Sequence, residues 1–353
     1  MDMKNSTPHR SRAMAPPKRT AKVVTLDHVA ELAGVSPSTV SRILNGTAVV
    51  SESKKKSVEN AIAKLGFVPN PVARGLAGGR TFSIGVVTGA IDSPFYGAAL
   101  RGVEDELDPA GYNALFVSGH WNEAVETRCL EILRGRRVDG IIALTGRLSD
   151  QALKTCAKSI PVVVTGRLLK AAGLFSLNFN NFEGGCLATQ HLIDLGHQRI
   201  AFIAGPPDHP DANERQRGYR AALEAAGINY EPGLTVAGAF HEVSGLLAVD
   251  RLLESRQRFT AIFAANDQMA AGAALGLHRH SLRVPEDVSL VGFDDVPTSQ
   301  YATPPLTTIH QPAYHLGRLA ASAMLQLLVG DKPTLQVPSP VLICRESSRL
   351  RNG

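Results

Sequence analysis

The chain has 353 residues, 44% of them hydrophobic. At about 100–200 residues per domain this allows two or three domains with an ample core and excludes a small disulfide scaffold or a disordered chain. Lys and Arg total 37 against 32 Asp and Glu, but residues 1–80 hold 13 basic and 5 acidic residues while residues 81–353 hold 24 and 27. A basic end joined to a near-neutral body points to nucleic acid or an anionic membrane surface as partner.

Cys129, Cys156, Cys186 and Cys344 have no CxxC spacing, so neither a disulfide framework nor a metal site is expected, and a reducing compartment fits. No run of about 18 apolar residues occurs, and Met1–Arg19 lacks the apolar stretch of a secretory signal. A soluble cytoplasmic protein is the expectation.

In chain order, residues 1–22 carry six basic residues and one acidic without hydrophobic periodicity, which reads as a disordered arm, either a phosphate contact or a plain solvated tail. Thr25 can cap a first helix with Asp27 in its opening turn and Ala30, Leu32 and Ala33 as its apolar face, and Gly34 suits a left-handed turn. Ser36 then caps a second helix with Pro37 at its first position and Val40, Ile43 and Leu44 facing inward, up to Asn45-Gly46. Ser51 caps a third helix with Val58, Ala61, Ile62 and Leu65 inward and Lys54–Lys56 toward solvent. This is a helix-turn-helix unit over residues 23–69. Its second helix presents Ser38, Thr39, Ser41 and Arg42, short hydroxyls and one guanidinium suited to phosphates and base edges. Candidate DNA contacts are therefore Thr25, Ser36, Ser38, Thr39, Ser41, Arg42 and Asn45, with double-stranded DNA as partner.

The segment 70–81, NPVARGLAGGRT, is a linker: Asn70 can cap and Pro71 can start a short helix to Leu76, which Gly75, Gly78 and Gly79 weaken by about 1 kcal/mol each where they fall within it. A helix this short needs a partner to form, the alternative being a passive tether. Beyond it, SIGVVT, NALFVS, VDGIIAL and PVVVT (Ser83–Thr165), then RIAFIAG, LTVAGA, AIFAA and VSLVGF (Arg199–Phe293), are apolar runs alternating with helical stretches. Two such series imply two parallel α/β lobes. The expected core is 82–350, one lobe from 82–165 with 311–340 and the other from 166–310 with 341–350.

Ligands of open parallel sheets bind at the carboxyl ends of strands. There lie Arg215 in ERQRGY, Asn266-Asp267 after AIFAA and Asp294-Asp295 after VSLVGF, an amide, a carboxylate and a guanidinium suited to a hydroxyl-rich ligand. Arg215 as a structural ion-pair partner is the competing reading. Asp295 reads better as a cap or hinge contact, His197 as a satisfied structural histidine, and Arg167 after PVVVT as an ambiguous pocket candidate.

TLDHVAELAGVSPSTVSRILNG (Thr25–Gly46), NPVARGL and the downstream lobes resemble the LacI/GalR family of bacterial transcription regulators, over about Thr25–Ser347. The resemblance implies an α/β fold class: an N-terminal all-α helix-turn-helix DNA-binding domain plus a periplasmic-binding-protein-like core of two parallel-sheet subdomains. It implies a homodimer on a palindromic operator, and a small-molecule effector, a sugar or sugar acid first and a purine-like compound second. It also implies that Ala73 and Leu76 reach the minor groove, and that R-x-x-G-[FWY], N-D-x-x-A and G-[FY]-D-D, matched at Arg215–Tyr219, Asn266–Ala270 and Gly292–Asp295, contact the effector. Phe95, Tyr96 and Phe240 resemble aromatic pocket positions. Two departures stand out: Pro37 in the recognition helix, and Asn180 before Asn181 where many relatives have Asp. No leucine heptad follows Cys344–Ser348, which favours a dimer over a tetramer.

Two other classes share the core architecture. A dehydrogenase lacks support, because no G-x-G-x-x-G, G-x-x-x-x-G-K-[ST], H-E-x-x-H or G-x-S-x-G is present. A secreted solute-binding protein would need a signal peptide and no helix-turn-helix. The expectation is a repressor that is no enzyme and uses no cofactor.

Overall fold

The computed structural model describes residues 24–44, 50–67, 79–144 and 146–351. The arm 1–22, Asn45, and the linker helix with Ala73 and Leu76 lie outside these residues. The chain divides into two compact units, 1–77 and 78–353.

In the first unit the helices Leu26–Ala33, Pro37–Leu44 and Glu52–Leu65 enclose Val29, Ala30, Val40, Val58, Ala61 and Phe67. Gly34, at φ 68°, ends the first helix in the left-handed conformation that glycine adopts freely. Leu32, expected inward, is 45% exposed; Val29 fills the core instead, because it shares the 3–4-residue stripe of Leu26, Ala30 and Ala33. Ser51 sits at the cap position of the third helix, but its hydroxyl bonds Ser53 Oγ at 3.1 Å rather than a backbone amide.

The second unit contains two sheets. The first has the order β2-β1-β3-β4-β5, with β1 Ser83–Thr88, β2 Asn113–Ser118, β3 Gly140–Leu144, β4 Val162–Thr165 and β5 Leu174–Leu177, all parallel. The second has the order β11-β10-β9-β8-β6-β7, with β6 Ile200–Ala204, β7 Thr235–Ala237, β8 Ala261–Ala264, β9 Ser289–Asp294, β10 Thr307–His310 and β11 Val341–Ile343. Only the pairing of β11 with β10 is antiparallel.

The expected change of lobe after Thr165 is corrected by β5: Val162 registers with Leu174 and Thr165 with Leu177, so the first sheet continues to Leu177. The chain returns to the first lobe after β10, where the helix Ala313–Leu328 buries Leu316, Ala320 and Met324 against Val103 and Leu107 of the helix Pro94–Leu107. It then goes back to the second sheet as β11. Three crossings thus join the lobes, a geometry that permits a hinge. No helix among the described residues is long and apolar enough to cross a membrane.

Candidate functional site

A cavity of about 290 Å³ opens between the carboxyl ends of the two sheets. The first lobe contributes Asp92, Ser93, Phe95 and Tyr96 after β1 and Trp121 after β2. The second contributes His209, Asp211 and Arg215 after β6, Phe240 and Glu242 after β7, Asn266 and Gln268 after β8, and Asp294 at the end of β9. The structure therefore brings Phe95, Tyr96, Arg215, Phe240, Asn266 and Asp294 around one space.

Aromatic rings form a continuous wall across both lobes. Phe95 meets Tyr96 edge-on at 5.3 Å, Tyr96 meets Trp121 at 5.6 Å, Trp121 meets His209 at 4.7 Å, and His209 meets Phe240 at 5.0 Å. Such a wall suits the apolar face of a sugar ring or a flat base.

Arg215 is set by tight helix packing: a side chain on Gly185 would lie 2.4 Å from the Arg215 carbonyl oxygen, so only glycine lets the helix Asn181–Asp194 approach so closely. Its guanidinium is largely spent within the protein. Nε donates to Asn181 Oδ1 at 2.8 Å, Nη1 to the Ala265 carbonyl at 2.5 Å and to Asp294 Oδ1 at 3.3 Å, and Nη2 to Gln311 Oε1 at 2.9 Å, while the Phe293 ring lies 3.7 Å from the guanidinium carbon. Of its five N–H groups one remains for a ligand. Asn180, the departure from the family pattern, caps its helix by accepting from the Glu183 amide at 3.1 Å, and it is Asn181 that reaches Arg215.

Asp294 has φ 110° and is buried; burial pushes its carboxyl up to about 8 despite the opposing effect of Arg215. Asn266 caps the helix Asp267–Arg279 by accepting from the Met269 amide at 2.9 Å, and its Nδ2 donates to the Phe240 carbonyl at 3.1 Å, holding that residue at φ 62°. Its neighbour Asp267 faces away from the ligand space, accepting from Val296 N, Ser299 Oγ and Thr308 Oγ1 at 2.6–3.0 Å.

The free polar groups of the cavity are ones the sequence motifs did not mark. Both ring nitrogens of His209 are buried without a hydrogen-bond partner, and burial followed by the nearby Arg215 charge lowers the imidazole to about 3, so it is neutral. Asp211 is buried beside it, and burial raises its carboxyl to about 6 against the opposing charges of Arg215 and Arg167. Trp121 sits at φ 56° in the turn after β2. All three stand just past strand ends, the signal that could have located them.

Arg167 does not line this cavity. It donates to the Gly146 carbonyl, to the Leu148 carbonyl at 2.7 Å and to Asp150 at 3.3 Å, pinning the loop after β3. Asp295 bonds His310 Nδ1 at 2.9 Å and Arg345 Nη2 at 2.6 Å, and His197 is satisfied by Thr260, Ser289 and the Arg349 carbonyl, both structural as expected.

On the first unit, Ser36, Ser38 and Arg42 are exposed, while Thr39 and Ser41 are half-buried. Ser36 Oγ accepts from the Thr39 amide at 3.2 Å and lies 2.8 Å from both Ser38 Oγ and Thr39 Oγ1, so these hydroxyls are already linked at the start of the second helix. Exposed Thr25 caps the first helix, its amide donating to His28 Nδ1 at 3.0 Å.

A helix-turn-helix unit tied to a two-lobed α/β receptor with an inter-lobe cavity defines the class: a ligand-controlled DNA-binding regulator. The family model for bacterial regulatory proteins of the lacI family matches residues 25–70, and that for a periplasmic binding protein-like domain matches 189–348. The ribose operon repressor of Escherichia coli (strain K12) is 38% identical over 332 residues, covering 92% of this chain and 100% of that protein. The HTH-type transcriptional repressor PurR of Haemophilus influenzae (strain PittEE) is 35% identical over 333 residues, covering 92% and 98%. The crystal structure of the lac repressor dimer bound to operator and the anti-inducer ONPF superposes with a TM-score of 0.83 at 31% identity, covering 93% of this chain and 100% of that one. The chain belongs to the LacI family of bacterial regulatory proteins, and is an allosterically controlled DNA-binding repressor rather than an enzyme.

Proposed function

We propose that this repressor acts in the bacterial cytoplasm as a homodimer on a palindromic operator, and that its hold on DNA is set by a neutral, hydroxyl-rich ligand, a sugar, bound in the inter-lobe cavity. The observation that carries the ligand class is a neutral His209, with neither ring nitrogen partnered, beside the buried carboxyl of Asp211 in a cavity that also holds Asp92, Asp294 and Glu242. A sugar hydroxyl both donates and accepts, so it can satisfy an imidazole nitrogen and a carboxylate at once. A sugar acid would bring a carboxylate into a space whose lining arginine, Arg215, has one donor left. The cavity's roughly 290 Å³ is near the lower end of ligand sites, about 300–1,000 Å³, and suits a single ring.

His209, Asp211 and Asp294 are the assigned polar readers, Phe95, Trp121 and Phe240 the apolar faces, and Arg215 and Asn266 the frame that positions them. Occupancy favours one spacing of the lobes, and by linkage the ligand changes DNA affinity by the factor by which DNA changes ligand affinity. The continuous ring wall and the 35% identity to PurR support a purine-like base as second reading. Thermal shift of the full chain with neutral pentoses and hexoses, sugar acids and purine bases separates them: a rise with a neutral sugar alone is expected, and a rise with only sugar acids or bases overturns the reading.

A further inference from the structure

A second cavity, of about 520 Å³, lies at the opposite edge of the first sheet, where Val138, Asp139 and Pro161 precede β3 and β4. Arg80, Arg134 and Arg137 line it, and exposed Arg136 stands in the same turn. Arg80 is planted by donating to the Leu328 carbonyl at 3.0 Å, and the backbone of Arg137, at φ 56°, accepts from Thr81 Oγ1 at 2.9 Å. The acid in the lining, Asp139, is consumed: it accepts from the Thr81 amide and hydroxyl at 2.8 and 3.2 Å and from the Phe82 amide at 2.7 Å. Arg134, Arg136 and Arg137 have no carboxylate partner among the described residues.

This cationic face sits on a body that is otherwise acidic on balance, with 24 basic and 27 acidic residues in 81–353. It is also where the chain arrives from the DNA-binding unit, since Gly79 is part of the lining. Residues 66–80 contain Arg74 and Arg80 and no Asp or Glu, so the connecting segment offers nothing to neutralise the cluster. The twelve steps from Phe67 to Gly79 span at most about 40 Å at roughly 3.3–3.6 Å each, which keeps this face within reach of whatever polyanion the helix-turn-helix holds. Guanidinium groups are suited to forked contact with phosphate oxygens.

We propose that Arg80, Arg134, Arg136 and Arg137 form a second DNA-contacting surface, on the core itself, that takes backbone phosphates the recognition helix does not read. The proposal rests on the repressor reading above. Phosphate contacts add affinity without sequence choice and steepen its salt dependence by about 0.9 per phosphate neutralised.

The test uses the full chain and a duplex that the wild-type protein selects from a random pool, with an unrelated duplex alongside, and Arg134→Gln/Arg137→Gln as the variant. Both positions are exposed, and an unchanged melting temperature reports an intact fold. The proposal predicts weaker binding of the variant to both duplexes by the same factor, and a salt slope shallower by about two. Wild-type affinity and slope in the variant would overturn it. So would unchanged DNA binding combined with stabilisation by inorganic phosphate that the variant loses, which would assign the face to a free anion. Failure of the wild-type chain to bind any duplex would overturn the repressor reading as well, a result distinguishable from failure of this surface alone.

Discussion

Arg215 Nη1 lies 3.3 Å from Asp294 Oδ1 with both side chains buried, so two residues whose types suggest ligand contacts are joined first to each other. Removing the guanidinium by Arg215→Ala strands Asn181, Gln311 and the Ala265 carbonyl. Leaving each buried partner of this kind unbonded costs about 1–3 kcal/mol. Asp294→Asn keeps an acceptor at the same place and is expected to cost about 1 kcal/mol or less. Chemical denaturation of the two variants checks the contrast.

The Asp294 carboxyl also gives stability a pH dependence. Its value is raised on folding, from about 3.8 to about 8, so the folded state holds the proton more tightly. The contribution is therefore fully present below pH about 4 and is lost as pH rises toward 8. Asp211 and Asp267, both raised to about 6, act in the same direction over a narrower range. Melting temperatures at pH 6 and 8.5 are expected to fall less in Asp294→Asn than in the wild type.

His209 is a buried polar ring with nothing to bond. Replacing it by Phe removes that unsatisfied group, so the ligand-free protein is expected to be as stable as wild type or more so. Sugar affinity falls at least tenfold, because a ligand hydroxyl loses its partner. Calorimetric titration beside a ligand-free melt tests both halves.

Sugar affinity is expected to fall as pH drops through about 6, where Asp211 takes up a proton and ceases to accept from two hydroxyls. Arg215, Arg167 and Glu214 exert the charge effects on it, and His209, held near 3, stays neutral throughout. Titrations at pH 5 and 7.5 should differ in wild type and coincide in Asp211→Asn.

On the first unit, Arg42→Ala leaves the buried core of Val29, Val40 and Val58 intact. It is expected to weaken operator binding by about 1–3 kcal/mol, the range for one base-reading side chain. Val40→Ala instead opens a cavity and lowers the unit's melting temperature. Fluorescence anisotropy and a thermal melt distinguish the two.

The long apolar runs made most strands legible: Ser83–Thr88 and Asn113–Ser118 coincide with the β-strands end to end. β5, β10 and β11 were not: β10, for one, buries Thr307 and Thr308 through hydroxyl bonds to Ser348 and Asp267 rather than through an apolar pattern. In the site, spacing and strand ends mark Arg215, Asn266 and Asp294, and all three line the cavity, Arg215 and Asn266 with most of their polar groups bonded within the protein. His209 and Asp211 lie in a loop and a first helical turn where nothing periodic singles them out. What sets His209 apart within that stretch is the lack of a partner for either ring nitrogen, which only three-dimensional neighbours reveal. Arg167, by contrast, finds its partners in the loop after β3, at the Gly146 and Leu148 carbonyls and Asp150.

We propose that a ligand held by His209 and Asp211 controls DNA binding. The most direct test is duplex affinity, measured by anisotropy with and without the neutral sugar that raises the melting temperature. A change of about 5–150-fold in wild type, equivalent to about 1–3 kcal/mol of coupling, is expected, and it should vanish in His209→Phe and Asp211→Asn while their sugar-free DNA affinity stays at the wild-type value. An unaltered affinity in the wild type at saturating sugar, or a full response in both variants, would contradict it.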